Sequence, residues 1–117
     1  MNTMAASAWA GELPGAITVC DAEGIILYMN ARSVEAFEAQ GGRGLVGSNL
    51  LDCHPEPSRS KLRRLLESQE KNVYTIEKAG VRKLIYQTPW YCKGKYAGLV
   101  EIALEIPFPM PHFVRDG

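Results

Sequence analysis

The chain has no charge of either sign to spare. Its 117 residues carry 13 Lys plus Arg and 13 Asp plus Glu, a formal net charge of zero. Generic nucleic-acid binding relies on basic excess to neutralise phosphates, so nucleic acid is not expected as a partner. Copies of the chain also lack net repulsion, so self-association is expected. No apolar run approaches about 18 residues, so no segment should span a bilayer. Met1 to Gly15 has neither a basic start nor a long apolar stretch, which argues against a signal peptide. The three cysteines, Cys20, Cys53 and Cys92, are widely spaced and form no CxxC pair. They read as reduced thiols in a cytoplasmic protein. A structural metal site needs about four suitably spaced ligands. Cys20, Cys53, His54, Cys92 and His112 are scattered singly, so no metal is expected.

The length fits a single domain. Hydrophobic residues make up 46% and charged residues 22%, an ordinary globular composition. Residues 3–12 favour a short helix with Met4, Ala8 and Trp9 on one side, stopped by Gly11 and Pro14. Ala16 to Cys20 and Ile25 to Met29 read as a hairpin closed by Asp21-Ala22-Glu23-Gly24, with Gly24 left-handed. Asn30 is placed to cap a helix with apolar positions Ala31, Val34 and Phe37. Gly41-Gly42-Arg43-Gly44 breaks it. A short helical turn is expected within Leu45 to Leu51. Ser58 then caps a helix with Leu62, Leu65 and Leu66 on its core side. Three strands follow: Asn72 to Lys78, Val81 to Tyr91 and Tyr96 to Ile106. The last alternates Val100, Ile102, Leu104 and Ile106 against Leu99, Glu101, Ala103 and Glu105, which predicts a single core face. Pro107, Pro109 and Pro111 end regular structure. There is no internal repeat.

Helix, two strands, three short helices, three strands: this order resembles the PAS domain family. The segment ITVCDAEGIILYMNARSVEAF is similar to the PAS opening hairpin and its Asn-capped first helix. GLVGSNLLDCHP is similar to the short helix and loop before the main helix, and SRSKLRRLL to that helix. GKYAGLVEIALEI is similar to the last hairpin, with Gly98 where the family commonly has glycine. The resemblance runs from about Pro14 to Ile106. LLDCHP, YQTPWY and LEIP also resemble PAS modules of uncharacterised bacterial proteins, some fused to hemerythrin-like domains. No such partner domain lies in these 117 residues. The resemblance implies a cup between sheet and helices that holds haem, flavin, a small metabolite, or only side chains. It also implies signalling through the sheet surface and flanking segments, often in dimers.

Gly42 to Gly47 spells GxGxxG, but dinucleotide binding needs a strand before it and a long helix after it. Here a helix precedes, so a glycine-rich connector is expected. Asp52-Cys53-His54 sets a thiol beside an imidazole. Neighbouring residues rarely face each other, and a nucleophilic pair needs an orienting third group. The plainer reading has Asp52 bonding the loop backbone, Cys53 packing, and His54 in a turn. The PAS resemblance gives His54 one sharper reading, as an axial haem ligand from the helical side of the cup, since one histidine can hold the iron. Cys53 does not sit in the context of a flavin-adduct cysteine. Arg59, Lys61, Arg63 and Arg64 read as a solvated helix face.

The expected fold is α+β: a PAS-like five-stranded antiparallel sheet with helices covering one face. Residues 1–13 form an N-terminal helical extension, 14–106 the PAS-like domain, and 107–117 a proline-rich tail. The expected function is a stand-alone, homodimeric sensory or protein-interaction module, not an enzyme. Its partners would be a second copy, a signalling protein or a small-molecule ligand. Candidate pocket residues are Tyr28, Asn30, Phe37, Leu51, His54, Leu62, Leu66, Tyr74, Tyr86 and Ile102. Met4 and Trp9 are the dimer-interface candidates. Two alternatives stand beside this: a haem-binding redox or gas sensor using His54, and a small enzyme using Asp52, Cys53 or His54.

Overall fold

A computed structural model describes residues 8–117. Five strands form one antiparallel sheet: β1 (Ala16–Asp21), β2 (Ile26–Met29), β3 (Asn72–Lys78), β4 (Val81–Cys92) and β5 (Lys95–Ile106). Their order across the sheet is β2-β1-β5-β4-β3. The first hairpin and the last strand of the meander are thus zipped together at the centre. Two α-helices, α1 (Ala31–Ala36) and α2 (Ser58–Ser68), fill the connection between β2 and β3. Short 3-10 turns at Glu38–Gln40, Gly42–Leu45 and Leu50–Cys53 lie between them. The predicted architecture is therefore the observed one, and the GxGxxG segment is a connector.

Local chemistry explains the elements. In the β1–β2 turn the Asp21 carboxylate accepts the amides of Glu23 (3.0 Å) and Ile25 (2.9 Å). Gly24 closes the turn at φ +92°, a conformation that costs glycine little. Asn30 caps α1 as its position predicts: its Oδ1 accepts the Ser33 amide at 3.0 Å. Its remaining bonds reach much further. Oδ1 also accepts the Ile17 amide of β1 (2.9 Å), while Nδ2 donates to the carbonyls of Ala10 (2.9 Å) and Gly15 (2.8 Å). One buried side chain thereby joins the N-terminal segment, β1 and α1. The buried residue of α1 itself is Ser33, not an apolar one. Its hydroxyl bonds the Thr18 hydroxyl on β1.

The helix α2 spans the predicted residues but starts differently. Ser58 is its first helical residue, and Pro57 stands at the cap position without a capping side chain. Glu56 takes that part from upstream, accepting the Ser60 amide (3.1 Å) and hydroxyl (2.7 Å). Those two bonds, the hydroxyl's first, hold the Glu56 carboxyl below its usual range. Asn49, rather than Asp52, caps the turn at Leu50–Cys53, accepting the Leu51 amide at 2.8 Å. Leu62 and Leu66 of α2 pack on Cys20 of β1 and Leu99 of β5, with Leu50 and Leu51 alongside.

That packing corrects the predicted core face of β5. The helix-covered face carries Leu99, Glu101, Ala103 and Glu105, because Leu99 is the β5 residue in the core cluster. Val100, Ile102, Leu104 and Ile106 alternate onto the opposite face. There they sit across from Thr88, Tyr86, Leu84 and Arg82 of β4. The outer stripe is the more regularly apolar of the two, so alternation alone points to the wrong face. On this outer face Ile17, paired with Ile102, is buried, and Gly15 comes close to the Leu104 side chain. The helices leave β3 uncovered, and Val73, Tyr74 and Ile76 are exposed.

Gly98 has a specific task. It has φ +144°, and a Cβ there would run into the Cys20 carbonyl and the Asp21 backbone. Its absence lets β5 close on β1 where Asp21 pairs with Gly98. Beside it, the Trp90 indole donates to the same Cys20 carbonyl at 2.9 Å.

Residues 8–11 are helical, and Trp9 is exposed. Met4 lies outside the described residues. Beyond Ile106 there is no helix or strand; Phe108 stacks on the Arg82 guanidinium, whose carbon lies 3.5 Å from the ring centre. Among the described residues no helix is long and apolar enough to cross a membrane.

Candidate functional site

The helices close over β1 and β5 and stand away from β3, so the cup has a packed end and an open end. At the packed end, Thr18, Cys20, Phe37, Leu50, His54, Leu62, Leu99 and Glu101 enclose a cavity of about 20 Å³. That is room for about one water molecule. Beside it, toward β3, lies a polar chamber of about 210 Å³, lined by His54, Ser58, Lys61, Leu62, Asn72, Tyr74, Gln87 and Glu101.

The chamber floor is a row of three polar side chains on adjacent strands. Asn72 of β3 pairs with Gln87 of β4, and Gln87 with Glu101 of β5. Asn72 Nδ2 donates to Gln87 Oε1 at 2.7 Å, and Gln87 Nε2 donates to Glu101 Oε2 at 2.7 Å. Each donor points toward Glu101. Gln87 is buried, so the row fixes its amide orientation, and the acceptor at the end suits an ionised carboxylate. Tyr74 stands at the rim. Burial first, and the nearby Glu101 charge second, push its phenol above the ordinary value. Lys61 of α2 sits over the Tyr74 ring, 5.4 Å from its centre.

His54 forms the wall opposite the floor. Its Nδ1 lies 2.8 Å from the Leu50 carbonyl. A carbonyl only accepts, so Nδ1 carries the proton, and in the neutral ring Nε2 keeps the lone pair. Arg59 braces this turn from α2, its Nε donating to the carbonyls of Leu51 and His54, both at 3.0 Å.

The same geometry answers the two alternative chemistries. Cys53 Sγ lies 3.7 Å from His54 Nδ1 and donates to the Leu50 carbonyl at 3.2 Å. Nδ1 already holds a proton for that carbonyl, so it cannot take one from the thiol. Burial, with the Asp52 charge adding, pushes the Cys53 thiol up, the reverse of an activated nucleophile. Asp52, Cys53 and His54 are therefore not arranged as a nucleophile and its base. For haem, His54 offers the right nitrogen but not the room. Ligand pockets run to about 300–1,000 Å³, and the two spaces around His54, about 20 and 210 Å³, fall short of that. The residues present do not fit a haem.

The predicted pocket residues divide by face. Phe37, His54 and Leu62 line the small cavity, and His54, Leu62 and Tyr74 line the chamber. Leu66 belongs to the core beneath, with Leu51 packed against it. Asn30 is taken up by its four structural bonds. Tyr28, Tyr86 and Ile102 stand on the outer face, paired with Val19, Ile102 and Tyr86 respectively. They do not line the cup, because the period of two sends them to the other side. Sequence reasoning missed Ser58, Lys61, Asn72, Gln87 and Glu101. The legible signal was a Gln and a Glu in mid-strand, where a sheet covered by helices leaves little water.

An open antiparallel sheet whose centre joins first hairpin to last strand, with short helices cupped over it, defines a small α+β fold. The family model of the PAS fold matches residues 11–106, and the chain belongs to that family. Among solved structures, a C-terminal domain from Streptococcus mutans superposes with a TM-score of 0.71 at 23% identity, covering 90% of this chain and 85% of that one. The PAS domain of an HTR-like protein from Haloarcula marismortui gives 0.62 at 16% identity, covering 90% and 92%. The Aer2 receptor from Vibrio cholerae, a dual PAS-haem oxygen sensor, gives 0.55 at 19% identity, covering 80% and 95%. No curated protein sequence matches the chain.

Proposed function

We propose that this PAS module is a cytoplasmic sensor that takes a small polar ligand into the chamber between α2 and β3–β5. The observation that carries this reading is the floor row Asn72–Gln87–Glu101. Buried polar groups cost stability unless satisfied, and a sheet that needed only a core would place apolar residues there. The row instead holds a carboxylate at the edge of a chamber with room for a ligand. PAS domains are typically sensory rather than enzymatic, and the Cys53–His54 geometry gives no reason to depart from that.

A route for the signal runs through α2. The helix carries Ser58 and Lys61 at the chamber, and at its far end the Leu66 carbonyl accepts the Tyr96 hydroxyl at 2.9 Å. Tyr96 belongs to β5, at the β4–β5 hairpin. A ligand that holds α2 differently would reposition that hairpin, provided it binds two states with different affinity. The outer face is the surface we assign to self-association: Leu84, Tyr86, Val100, Ile102 and Leu104 form a partly exposed apolar patch there. Sedimentation velocity should give a dimer that Ile102→Lys converts to monomer. A monomeric wild type at about 100 µM, above typical weak-dimer affinities, would remove self-association from the account.

The ligand reading is tested by thermal shift against a set of small polar metabolites, with Ser58→Trp as the blocked control. Ser58 is exposed at the chamber and makes no side-chain bond among the described residues, so Trp there fills space without dismantling the fold. A compound that raises the wild-type melting temperature and leaves Ser58→Trp unchanged supports the chamber. Equal shifts in both proteins would place binding elsewhere.

A further inference from the structure

Resting on the ligand-binding reading of the chamber, we propose that its ligand is a small zwitterion of the amino-acid type, with its ammonium on Glu101 and His54 and its carboxylate on Lys61. The argument starts from which polar atoms are already committed. Glu101 gives Oε2 to Gln87, and its Oε1 takes no protein hydrogen bond among the described residues. His54 uses Nδ1 on the Leu50 carbonyl, which leaves the Nε2 lone pair. Both side chains line the same chamber. The two acceptors call for a group rich in N–H donors, and an ammonium has three.

Charge sharpens the choice. Glu101 is half-buried, and among the described residues its carboxylate has no cation within salt-bridge distance. The ion pair found there is Arg82–Glu77, at the far end of the β3–β4 hairpin. A partly buried charge without a counter-ion is unfavourable, and a bound cation would relieve it. Lys61 supplies the opposite pole. It lines the chamber from α2, rests over Tyr74, and is not paired to Glu101. Sheet wall negative, helix wall positive: a diamine would meet repulsion at Lys61, and a dicarboxylate at Glu101. A zwitterion matches both. The chamber volume of about 210 Å³ limits it to a small one. Binding across the chamber would also tether α2 to the sheet, the movement that the Tyr96 link passes to β5.

The test is isothermal titration calorimetry of the whole chain with the proteinogenic L-amino acids, β-alanine and γ-aminobutyrate. For any binder, the matching amine without the carboxylate and the matching acid without the amine are titrated too. The expected result is one or more zwitterionic binders, with each half-analogue weaker by about tenfold or more. Glu101→Gln and Lys61→Met should each weaken the binder by a similar factor while melting near the wild-type temperature. The proposal is overturned if the only chamber ligands, blocked by Ser58→Trp, are neutral, anionic or simple cations; the ligand-sensing reading then survives without this ligand class. If no tested zwitterion and no polar metabolite distinguishes wild type from Ser58→Trp, both readings fail together. Binding unaffected by Glu101→Gln and Lys61→Met also overturns the assignment, whatever the ligand.

Discussion

Replacing Asn30 by Ala tests the joint that holds the N-terminal segment, β1 and α1 together. Asn30 is 2% exposed and makes four hydrogen bonds. Losing the bond to the Ser33 amide removes the cap of α1, which costs about 1 kcal/mol. Losing the bond to the Ile17 amide strands a donor at a buried residue, which costs about 1–3 kcal/mol. The Ala10 and Gly15 carbonyls lose their donor as well, but partial exposure at Ala10 lets water replace it there. The sum is about 2–4 kcal/mol, a large share of the roughly 5–15 kcal/mol of an ordinary domain. With a urea m-value of about 1.5 kcal/mol/M, the midpoint should fall by about 1.3–2.7 M. Asn30→Asp separates the two halves of the joint. It keeps an acceptor for Ile17 and Ser33 but turns an anionic oxygen toward two carbonyls. Hydrogen exchange should then show protected Ile17 and Ser33 amides with a loosened segment at residues 10–15. Asn30→Ala should expose all of them. An Asn30→Ala protein within about 0.5 kcal/mol of wild type, the range of neutral surface substitutions, would refute this reasoning.

Three further outcomes are expected. Gly98→Ala should destabilise by about 2–4 kcal/mol in denaturant titration, combining backbone strain with overpacking against β1. Gly94→Ala, whose new Cβ meets nothing, should cost only about 1–2 kcal/mol of strain, and equal effects would mean that the β1–β5 approach is not tight. Iodoacetamide at neutral pH should modify exposed Cys92 before Cys53, whose thiol burial pushes up, and Cys20 last; Cys53 reacting first would contradict the geometry. Burial also raises the Cys20 thiol, so its contribution to stability is complete below the unfolded value near about 8.5 and fades as pH rises past it. Cys20→Val should flatten that alkaline loss in melting curves recorded from neutral pH upward.

The fold was largely legible because its signals are local. Asp21 with Gly24, Asn30 ahead of α1, and the leucines of α2 each announce an element from a few adjacent residues. The site was less so. His54 and Tyr74 were legible as cup residues, but Tyr86 and Ile102 were assigned to the wrong side. In β4 and β5 the outer face carries the more regular apolar stripe, while the cup face mixes Leu99, Ile85 and Ala103 with Gln87 and Glu101. Only the helices decide which face is inside, and their docking depends on Cys20, Leu62 and Leu66 meeting across distant parts of the chain. In sequence Lys61 is one of four basic residues on a solvated face, since nothing in α2 alone reveals that Tyr74 lies beneath it. Asn72, Gln87 and Glu101 are 15 and 14 residues apart, and become a row only once the strand registers are known.

The most direct test of the central claim is an amide correlation spectrum of the ¹⁵N-labelled protein, titrated with a desalted small-molecule extract of cells. The side-chain amides of Asn72 and Gln87 give their own signals and report from the chamber floor. The account predicts that these two signals move together with the backbone amides of Lys61 and Glu101, that Leu66 and Tyr96 follow, and that β2 stays still. Fixed Asn72 and Gln87 signals, with shifts confined to the outer face around Tyr86 and Ile102, would contradict it.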